Sequence, residues 1–197
     1  MIDLTSLPIR RTHGHYRLPR NNVVMLSCMD LRLMSELTMF MDRDNLTNRY
    51  DHLIFAGASL GVIHERPDNP GVRPWRDTFF DHLAVALQLH QPHDVYIVEH
   101  RNCGAYIKLF GPAFDFDEEK PADMKKERQV HAKCAHELAA EIGRWYPTWL
   151  AAQPPAERTR YADHLRVLSF LMDLRGNVEL LETKAPPARR RTAAKRP

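Results

Sequence analysis

The sequence predicts an α/β protein with a mostly parallel sheet of about four strands, an antiparallel strand at the C-terminal end, and flanking helices. Short apolar runs with β-branched residues alternate along the chain with longer segments of helical periodicity, which is typical of a parallel α/β sheet. The last apolar segment is interrupted at residues 175–177 by Arg-Gly-Asn, which indicates a turn between two antiparallel strands. The length of 197 residues is enough for one domain with a substantial core.

Three short apolar runs are predicted as buried strands: 22–27, 52–59 (running into a Gly/Ala turn) and 94–100. Residues 165–182 are predicted as the terminal pair of strands. In a parallel sheet, binding sites form beyond the carboxyl ends of the strands, so residues that follow these runs are candidates for function.

Helical spacing predicts helices at 33–41, 75–91 and 124–145, and a further helix is expected to begin near Gly104. In the second helix one apolar stripe contains Phe79, Leu83, Ala86, Leu87 and His90. In the third helix the stripe contains Val130, Cys134, Leu138 and Ile142. The position of Cys134 on this stripe predicts a core residue rather than a metal ligand.

The chain divides by composition into an N-terminal arm at 1–20, one α/β domain at 21–183 and a tail at 184–197. The tail has six basic residues and no acidic one, so removing these six from the net charge of +3 leaves −3 for the rest. Its Pro- and Ala-rich composition predicts disorder. A weak contact between the tail and a polyanion is an open alternative, but the sequence has no base-reading or stacking motif, so nucleic-acid binding is not expected.

A cytoplasmic location is expected from three features of the sequence. No apolar run approaches the roughly 20 residues that span a membrane, so no membrane association is expected. The N-terminal residues lack the pattern of a secretory signal. Three cysteines are too few and too scattered for a disulfide framework, which leaves them free for metal binding or catalysis.

Two cysteines and one histidine follow the predicted strands at positions where they could meet. Cys28 comes directly after the first strand, His100 ends the third, and Cys103 follows three residues later. Each of them alone is more often a buried structural residue. Together, two thiols and one imidazole form a ligand set that zinc prefers, and three protein ligands leave a fourth position open. The three side chains can converge if the first and third strands are neighbours in the sheet.

A carboxylate and a guanidinium follow the first cysteine in the segment Cys-Met-Asp-Leu-Arg. Arg32 can hold Asp30 in a charge-assisted pair. A carboxylate held in this way beside a metal can orient a bound hydroxide, or it can bind the metal itself. The alternative is a surface ion pair that contributes little.

These motifs resemble those of the β-class carbonic anhydrases. The resemblance rests on C-x-D-x-R at 28–32, H-x-x-C at 100–103, the strand-helix-strand between them and the ending FLMDLRGNVELL, and it covers roughly residues 20–182. It implies a zinc enzyme that reversibly hydrates carbon dioxide to bicarbonate through a zinc-bound hydroxide, and that forms a homodimer or a larger homo-oligomer.

The resemblance also implies the role of each residue in the site. Cys28, His100 and Cys103 would bind Zn²⁺, and Asp30 and Arg32 would form the catalytic orienting pair. In some members of the family the aspartate closes the site as a fourth ligand, and the sequence leaves both states open.

Several positions depart from the pattern of that family. Phe55 and Ala56 stand where many members carry an Arg-Asn pair, a change that could alter dimer contacts or the wall of the pocket. The predicted loop at 64–74 looks longer and richer in proline than usual. Glu99 and Arg101 flank the candidate ligand where small or polar residues are common. Three functional alternatives stay open. The same motifs suit a hydrolase of carbon disulfide or carbonyl sulfide, the missing Arg-Asn pair motivates a non-catalytic zinc protein, and the basic tail leaves open a nucleic-acid-associated protein.

Five further histidines of the predicted domain lie on or just after predicted helices, and they are predicted to be solvated or to cap helix ends, while a proton relay through one of them stays an alternative. They are His82, His90, His93, His131 and His136.

Overall fold

A computed structural model describes residues 22–65, 71, 73 and 75–181. The predicted arm and the basic tail lie outside the described residues, as do several residues of the proline-rich loop, so the domain boundaries stay predictions. Within the described ranges, no helix combines the length and apolar character needed to cross a bilayer.

In the described part of the chain, five strands form one sheet in the order β2-β1-β3-β4-β5. The first four strands in this order are parallel to one another, and β5 is antiparallel to β4. This confirms the predicted fold class. The strands are β1 (Val23–Ser27), β2 (Tyr50–Ile54), β3 (Asp94–His100), β4 (Arg166–Met172) and β5 (Val178–Leu181).

Strands β1 and β3 are buried along their whole length, as expected for central parallel strands with both faces covered. Their register pairs Val23 with Asp94 and Ser27 with Val98. The carboxyl ends of the two strands therefore lie side by side, which is the adjacency that the candidate site requires.

Six helices surround the sheet in the described residues, together with two short 3₁₀ turns at Leu31–Leu33 and Pro112–Phe114. The helices are α1 (Met34–Arg43), α2 (Ala58–Ile63), α3 (Arg76–His90), α4 (Gly104–Phe110), α5 (Pro121–Ala152) and α6 (Pro155–Arg158).

The predicted helices are confirmed within a few residues, except for α5, which is longer than predicted. Helix α5 extends beyond the predicted range at both ends. Its first residue, Pro121, is compatible with a helix start because the first turn needs no amide donor. Helix α2 was not predicted, because all six of its residues are buried and it therefore shows no polar face.

The sheet separates two apolar clusters. One packs α1 against Met25, Tyr96 and Val98 of the central strands. The larger one, on the other face, packs α2, α3, α4 and α5 against alternate residues such as Leu26 and Ile97. Since α2 and α4 begin just beyond the ends of β2 and β3, their first turns border the carboxyl edge of the sheet, where the candidate ligands lie.

Candidate metal centre

The structure brings the three predicted ligands together at the carboxyl edge of the sheet. Cys28 follows β1, His100 is the last residue of β3, and Cys103 immediately precedes α4. The two Sγ atoms are 3.7 Å apart, and the candidate ligand atoms of all three residues lie within 4.8 Å of one another. All three side chains are buried. The predicted convergence is therefore confirmed, and the cluster could hold a metal ion.

The histidine presents one ring nitrogen to the two thiols. His100 Nδ1 donates a hydrogen bond of 2.8 Å to the carbonyl oxygen of Arg101, which leaves the lone pair on Nε2. This Nε2 is buried and has no hydrogen-bond partner among the described residues. Burying an unpaired polar atom costs free energy. A metal ion bound at Nε2 would satisfy the atom, and the backbone carbonyl would orient the ring, as is usual for histidine ligands.

The pKa values of the two thiols are shifted in opposite directions. The hydrogen bond from Cys103 lowers the pKa of Cys28 to about 4, and His100 and the backbone amide of Gly57 act in the same direction. The hydrogen bond to Cys28 and burial raise the pKa of Cys103 above its usual range. The Gly57 amide lies 3.3 Å from Cys28 Sγ. One thiolate is thus stabilised by the protein alone, and a bound cation would stabilise the second.

The predicted pair beside the cluster is present. Arg32 Nε and Nη2 lie 2.9 and 2.7 Å from the two carboxylate oxygens of Asp30, and the Arg32 amide donates to Oδ1 at 3.0 Å. These hydrogen bonds lower the pKa of Asp30 to about 2, so the carboxylate stays ionised and can only accept hydrogen bonds. Asp30 Oδ2 is 3.9 Å from His100 Nε2. The pair therefore faces the cluster and is not an isolated surface contact.

A cavity of about 560 Å³ adjoins the cluster. Cys28, Asp30 and Arg32 line it on one side. Most of the remaining wall is apolar and comprises Met29, Leu31, Ala56, Gly104, Ala105, Lys108 and Leu109. Small apolar molecules would be compatible with such a wall.

The two residues that depart from the family pattern have different surroundings. Ala56 forms part of the cavity wall. Phe55 stacks on Trp75 with ring centroids 6.2 Å apart and contacts Phe79 edge to face. The difference from the family pattern therefore changes the cavity wall at Ala56, whereas Phe55 packs against an aromatic cluster just before α2.

A buried polar network behind the cluster was missed by the sequence analysis. Glu99 accepts hydrogen bonds from Tyr106 Oη at 2.8 Å, from the Ser59 amide at 3.1 Å and from the Ser59 hydroxyl. Its Oε2 also lies 2.9 Å from His131 Nδ1. Burial alone would raise the pKa of Glu99, but the contacts with His131, Ser59 and Tyr106 lower it.

The prediction that His131 is solvated or caps a helix is wrong, because the side chain is 1% exposed. The signal was present in the sequence: His131 lies three residues before Cys134 and seven before Leu138, which places it on the apolar stripe of α5. The core position predicted for Cys134 is confirmed.

Three other histidines of the predicted set have different surroundings. His90 is exposed at the end of α3 and pairs with Asp51 at 2.8 Å, which confirms its predicted solvated position. It does not extend the apolar face of α3, so that part of the prediction is wrong. His82 is exposed and contacts the Thr78 carbonyl. His136 is half-buried, which differs from the predicted solvated or capping role.

Comparison of this sequence with known proteins finds relatives of low sequence identity. No family model matches the chain. An uncharacterized protein from Rickettsia bellii is 26% identical over 165 residues, which is 84% of each chain. One from Rickettsia conorii is 27% identical over 158 residues, which is 80% of this chain and 70% of the relative.

Similar solved structures include a carbonic anhydrase from Streptococcus mutans, with 16% identity, a TM-score of 0.40 and coverage of 86% of this chain and 89% of that one. They also include a β-carbonic anhydrase from Aspergillus fumigatus, with 15% identity, a TM-score of 0.43 and coverage of 84% and 77%. A carbon disulfide hydrolase is 14% identical, with a TM-score of 0.37 and coverage of 82% and 79%. Because each TM-score is below 0.5, we infer the function from this chain's own residues.

Proposed function

We propose that this protein is a zinc enzyme that reversibly hydrates carbon dioxide to bicarbonate. The observation that carries the proposal is the buried cluster of Cys28, His100 and Cys103, which lies beside the Asp30–Arg32 pair at the end of a largely apolar cavity. A structural zinc site needs only its ligands, whereas a held carboxylate and an adjoining cavity are features expected of a catalytic site.

The donor set fits zinc. Two sulfur atoms and one imidazole nitrogen would hold the ion, and the unpartnered Nε2 of His100 is already directed at the thiols. Zinc bound at such a site supplies Lewis acidity that lowers the pKa of a coordinated water from 15.7 to about 7, which makes a nucleophile available near neutral pH.

Asp30 and Arg32 would position the reactants. Because Arg32 occupies both carboxylate oxygens of Asp30, we propose that Asp30 acts as a hydrogen-bond acceptor that orients the attacking oxygen, and not as a fourth ligand. The half-exposed Arg32 guanidinium carries a positive charge at the cavity wall, where it would favour the negatively charged product.

Hydrolysis of carbon disulfide or carbonyl sulfide is the second candidate. These molecules are linear and apolar and have an electrophilic carbon, as carbon dioxide does. The cavity favours this candidate as much as the first, because its wall is mostly apolar and its volume of about 560 Å³ also admits the larger sulfur compounds.

We further propose that the protein acts in the cytoplasm as a homodimer or a larger homo-oligomer. Met29 is 63% exposed and Leu31 is 84% exposed, and both lie at the cavity wall. A second copy covering them would remove apolar surface from water and enclose the cavity. Sedimentation equilibrium tests the proposed oligomeric state, and a monomer at micromolar concentration would contradict it.

Stopped-flow carbon dioxide hydration, with zinc determined in the same sample, tests the proposed activity. We expect one zinc per chain and rapid turnover, both lost in Cys28→Ser. Cys134→Ala is the matched control, because Cys134 is equally buried but lies outside the cluster, and it should retain both. Full zinc content without carbon dioxide turnover would refute the first candidate, and the same sample assayed with carbon disulfide and carbonyl sulfide would then test the second.

A further inference from the structure

A buried carboxylate on α5 contacts the turn between the second and third candidate ligands. Glu127 is 2% exposed, and a carboxylate that is buried to this extent needs partners for both oxygens. Its Oε2 lies 2.9 Å from Arg101 Nη1, and its Oε1 accepts the backbone amide of Asn102 at 2.7 Å. Both oxygens are thus bound by the two residues that separate His100 from Cys103.

The conformation of this turn needs such support. Asn102 has a φ of +53°, in the left-handed region that few residues other than glycine adopt and that asparagine tolerates better than most. Arg101 is anchored on three sides: its amide donates to the Met172 carbonyl, and its guanidinium reaches Glu127 and, at 3.1 Å, Glu179 of β5. The turn is therefore held between α5 and the sheet, with Glu127 as the contact from the helix.

The backbone carbonyls of the same turn orient two side chains of the site. The Arg101 carbonyl accepts the proton of His100 Nδ1 at 2.8 Å, which directs Nε2 to the thiols. The Asn102 carbonyl accepts a hydrogen bond of 3.0 Å from Arg32 Nη2, the same nitrogen that binds Asp30. A displacement of the turn would therefore move both the imidazole ligand and the Asp30–Arg32 pair.

We propose that Glu127 is a positioning residue: it holds the Arg101–Asn102 turn and, through that turn, keeps His100 and Arg32 in the arrangement that binds metal and orients the reactants. This proposal rests on the proposed zinc function. Groups that hydrogen-bond a metal ligand directly typically change metal affinity 10- to 100-fold when they are replaced, and Glu127 acts one contact further out, so we expect an effect at the lower end of this range.

Helix α5 offers a matched control for the loss of a charged contact. Glu141 lies on the same helix with a side chain that is 16% exposed, and it contacts Arg73 at 3.3 Å and Arg76 at 3.0 Å. No contact of Glu141 involves the turn. A general effect of removing a partly buried carboxylate from α5 should therefore appear in Glu141→Ala as well.

The experiment measures zinc affinity by competition with a chelator for the unmodified protein, Glu127→Ala, Glu127→Gln and Glu141→Ala. We expect Glu127→Ala to bind zinc about 10-fold more weakly and Glu141→Ala to bind within about twofold of the unmodified protein. The zinc affinity of Glu127→Gln should lie between these two values. Its amide oxygen can still accept a hydrogen bond from the Asn102 amide, but the ion pair with Arg101 is lost.

Two further measurements report on geometry. The absorption spectrum of the cobalt-substituted protein should change in Glu127→Ala, because the imidazole ligand moves, and stay unchanged in Glu141→Ala. Amide hydrogen exchange at Asn102 in the metal-free protein should accelerate in Glu127→Ala and less so in Glu127→Gln. If Glu127→Ala does not fold, the glutamine variant provides the same comparisons.

Zinc affinity and cobalt spectra that are the same in Glu127→Ala as in the unmodified protein would overturn the positioning role, and so would an equal loss of affinity in Glu141→Ala. A failure of the unmodified protein itself to bind zinc would instead refute the proposed function. In that case the exchange rate at Asn102 still decides whether Glu127 holds the turn, and an unchanged rate would overturn the positioning role independently.

Discussion

His131 Nδ1 on α5 lies 2.9 Å from Glu99 Oε2 on β3, and both side chains are 1% exposed. The same carboxylate accepts hydrogen bonds from Ser59 at the start of α2 and Tyr106 in α4. Three helices are thus joined to the residue that directly precedes His100.

Glu99→Ala should lower the free energy of unfolding by about 3–5 kcal/mol, because His131, Tyr106 and Ser59 would lose a shared partner in a buried environment. Denaturant unfolding followed by circular dichroism measures this change. Glu137→Ala is the control, since this glutamate on α5 is 43% exposed and pairs with His64 at the surface, where such a pair contributes about 0–1 kcal/mol. A loss below about 1 kcal/mol in Glu99→Ala would contradict a stabilising role of the network.

Asp30→Asn should reduce carbon dioxide hydration about 10- to 100-fold while leaving the zinc content unchanged. The amide keeps the size of the side chain but loses the charge that Arg32 binds through both oxygens. Stopped-flow rates and metal analysis on the same sample measure both effects. Asp51→Asn, which affects an aspartate paired with His90 away from the site, should keep the full rate. Loss of zinc in Asp30→Asn would instead indicate that the aspartate is a ligand.

The stability of the protein should fall as the pH decreases below about 6.5, and His52 should contribute to this fall. Burial lowers the pKa of His52, whose Nε2 lies 2.7 Å from Ser27 Oγ. The unfolded chain therefore binds the proton more readily, so the contribution is fully present above the unfolded pKa of about 6.5 and is lost as the pH falls through the folded pKa.

The free energies of unfolding at pH 8 and pH 5 measure this effect. We expect the difference between them to be smaller in His52→Asn than in the unmodified protein. In His82→Asn, which changes an exposed histidine of α3, the difference should stay larger than in His52→Asn. Equal differences in the unmodified protein and His52→Asn would refute the role of His52.

Gly61→Ala should destabilise the protein by about 1–3 kcal/mol, because the added methyl group would collide with the Ala56 carbonyl oxygen and lie 2.7 Å from the Trp75 ring. Ala56 is part of the cavity wall, so the rate of carbon dioxide hydration should fall as well. Gly143→Ala is the control: nothing lies within 4 Å of its added carbon, and alanine should stabilise α5 by up to about 1 kcal/mol. Unfolding curves of the two variants should therefore shift in opposite directions, and a shift of both in the same direction would contradict this account.

The sequence allowed prediction of most of the fold. The succession of strands and helices along the chain and the antiparallel ending were predictable, because apolar periodicity is a local property of the sequence. Helix α2 was missed because every residue in it is buried, which removes the periodic signal. Helix α5 was predicted too short because its continuation past Pro147 coincides with aromatic packing of Trp149 on Tyr146 and Tyr161, which the local sequence does not reveal.

By itself, the sequence determined the types of the candidate ligands, their placement after strands, and the Asp30–Arg32 pair, whose two residues are close enough in the chain to meet without a particular fold. Only the tertiary structure decided that β1 and β3 are neighbours, so that Cys28 meets Cys103 across 75 positions. It also decided that Glu99 and Glu127 are buried carboxylates next to the candidate site. The physical reason is that the environment of a charged side chain depends on which distant elements pack on it, and this is set by the order of the strands and the path of α5.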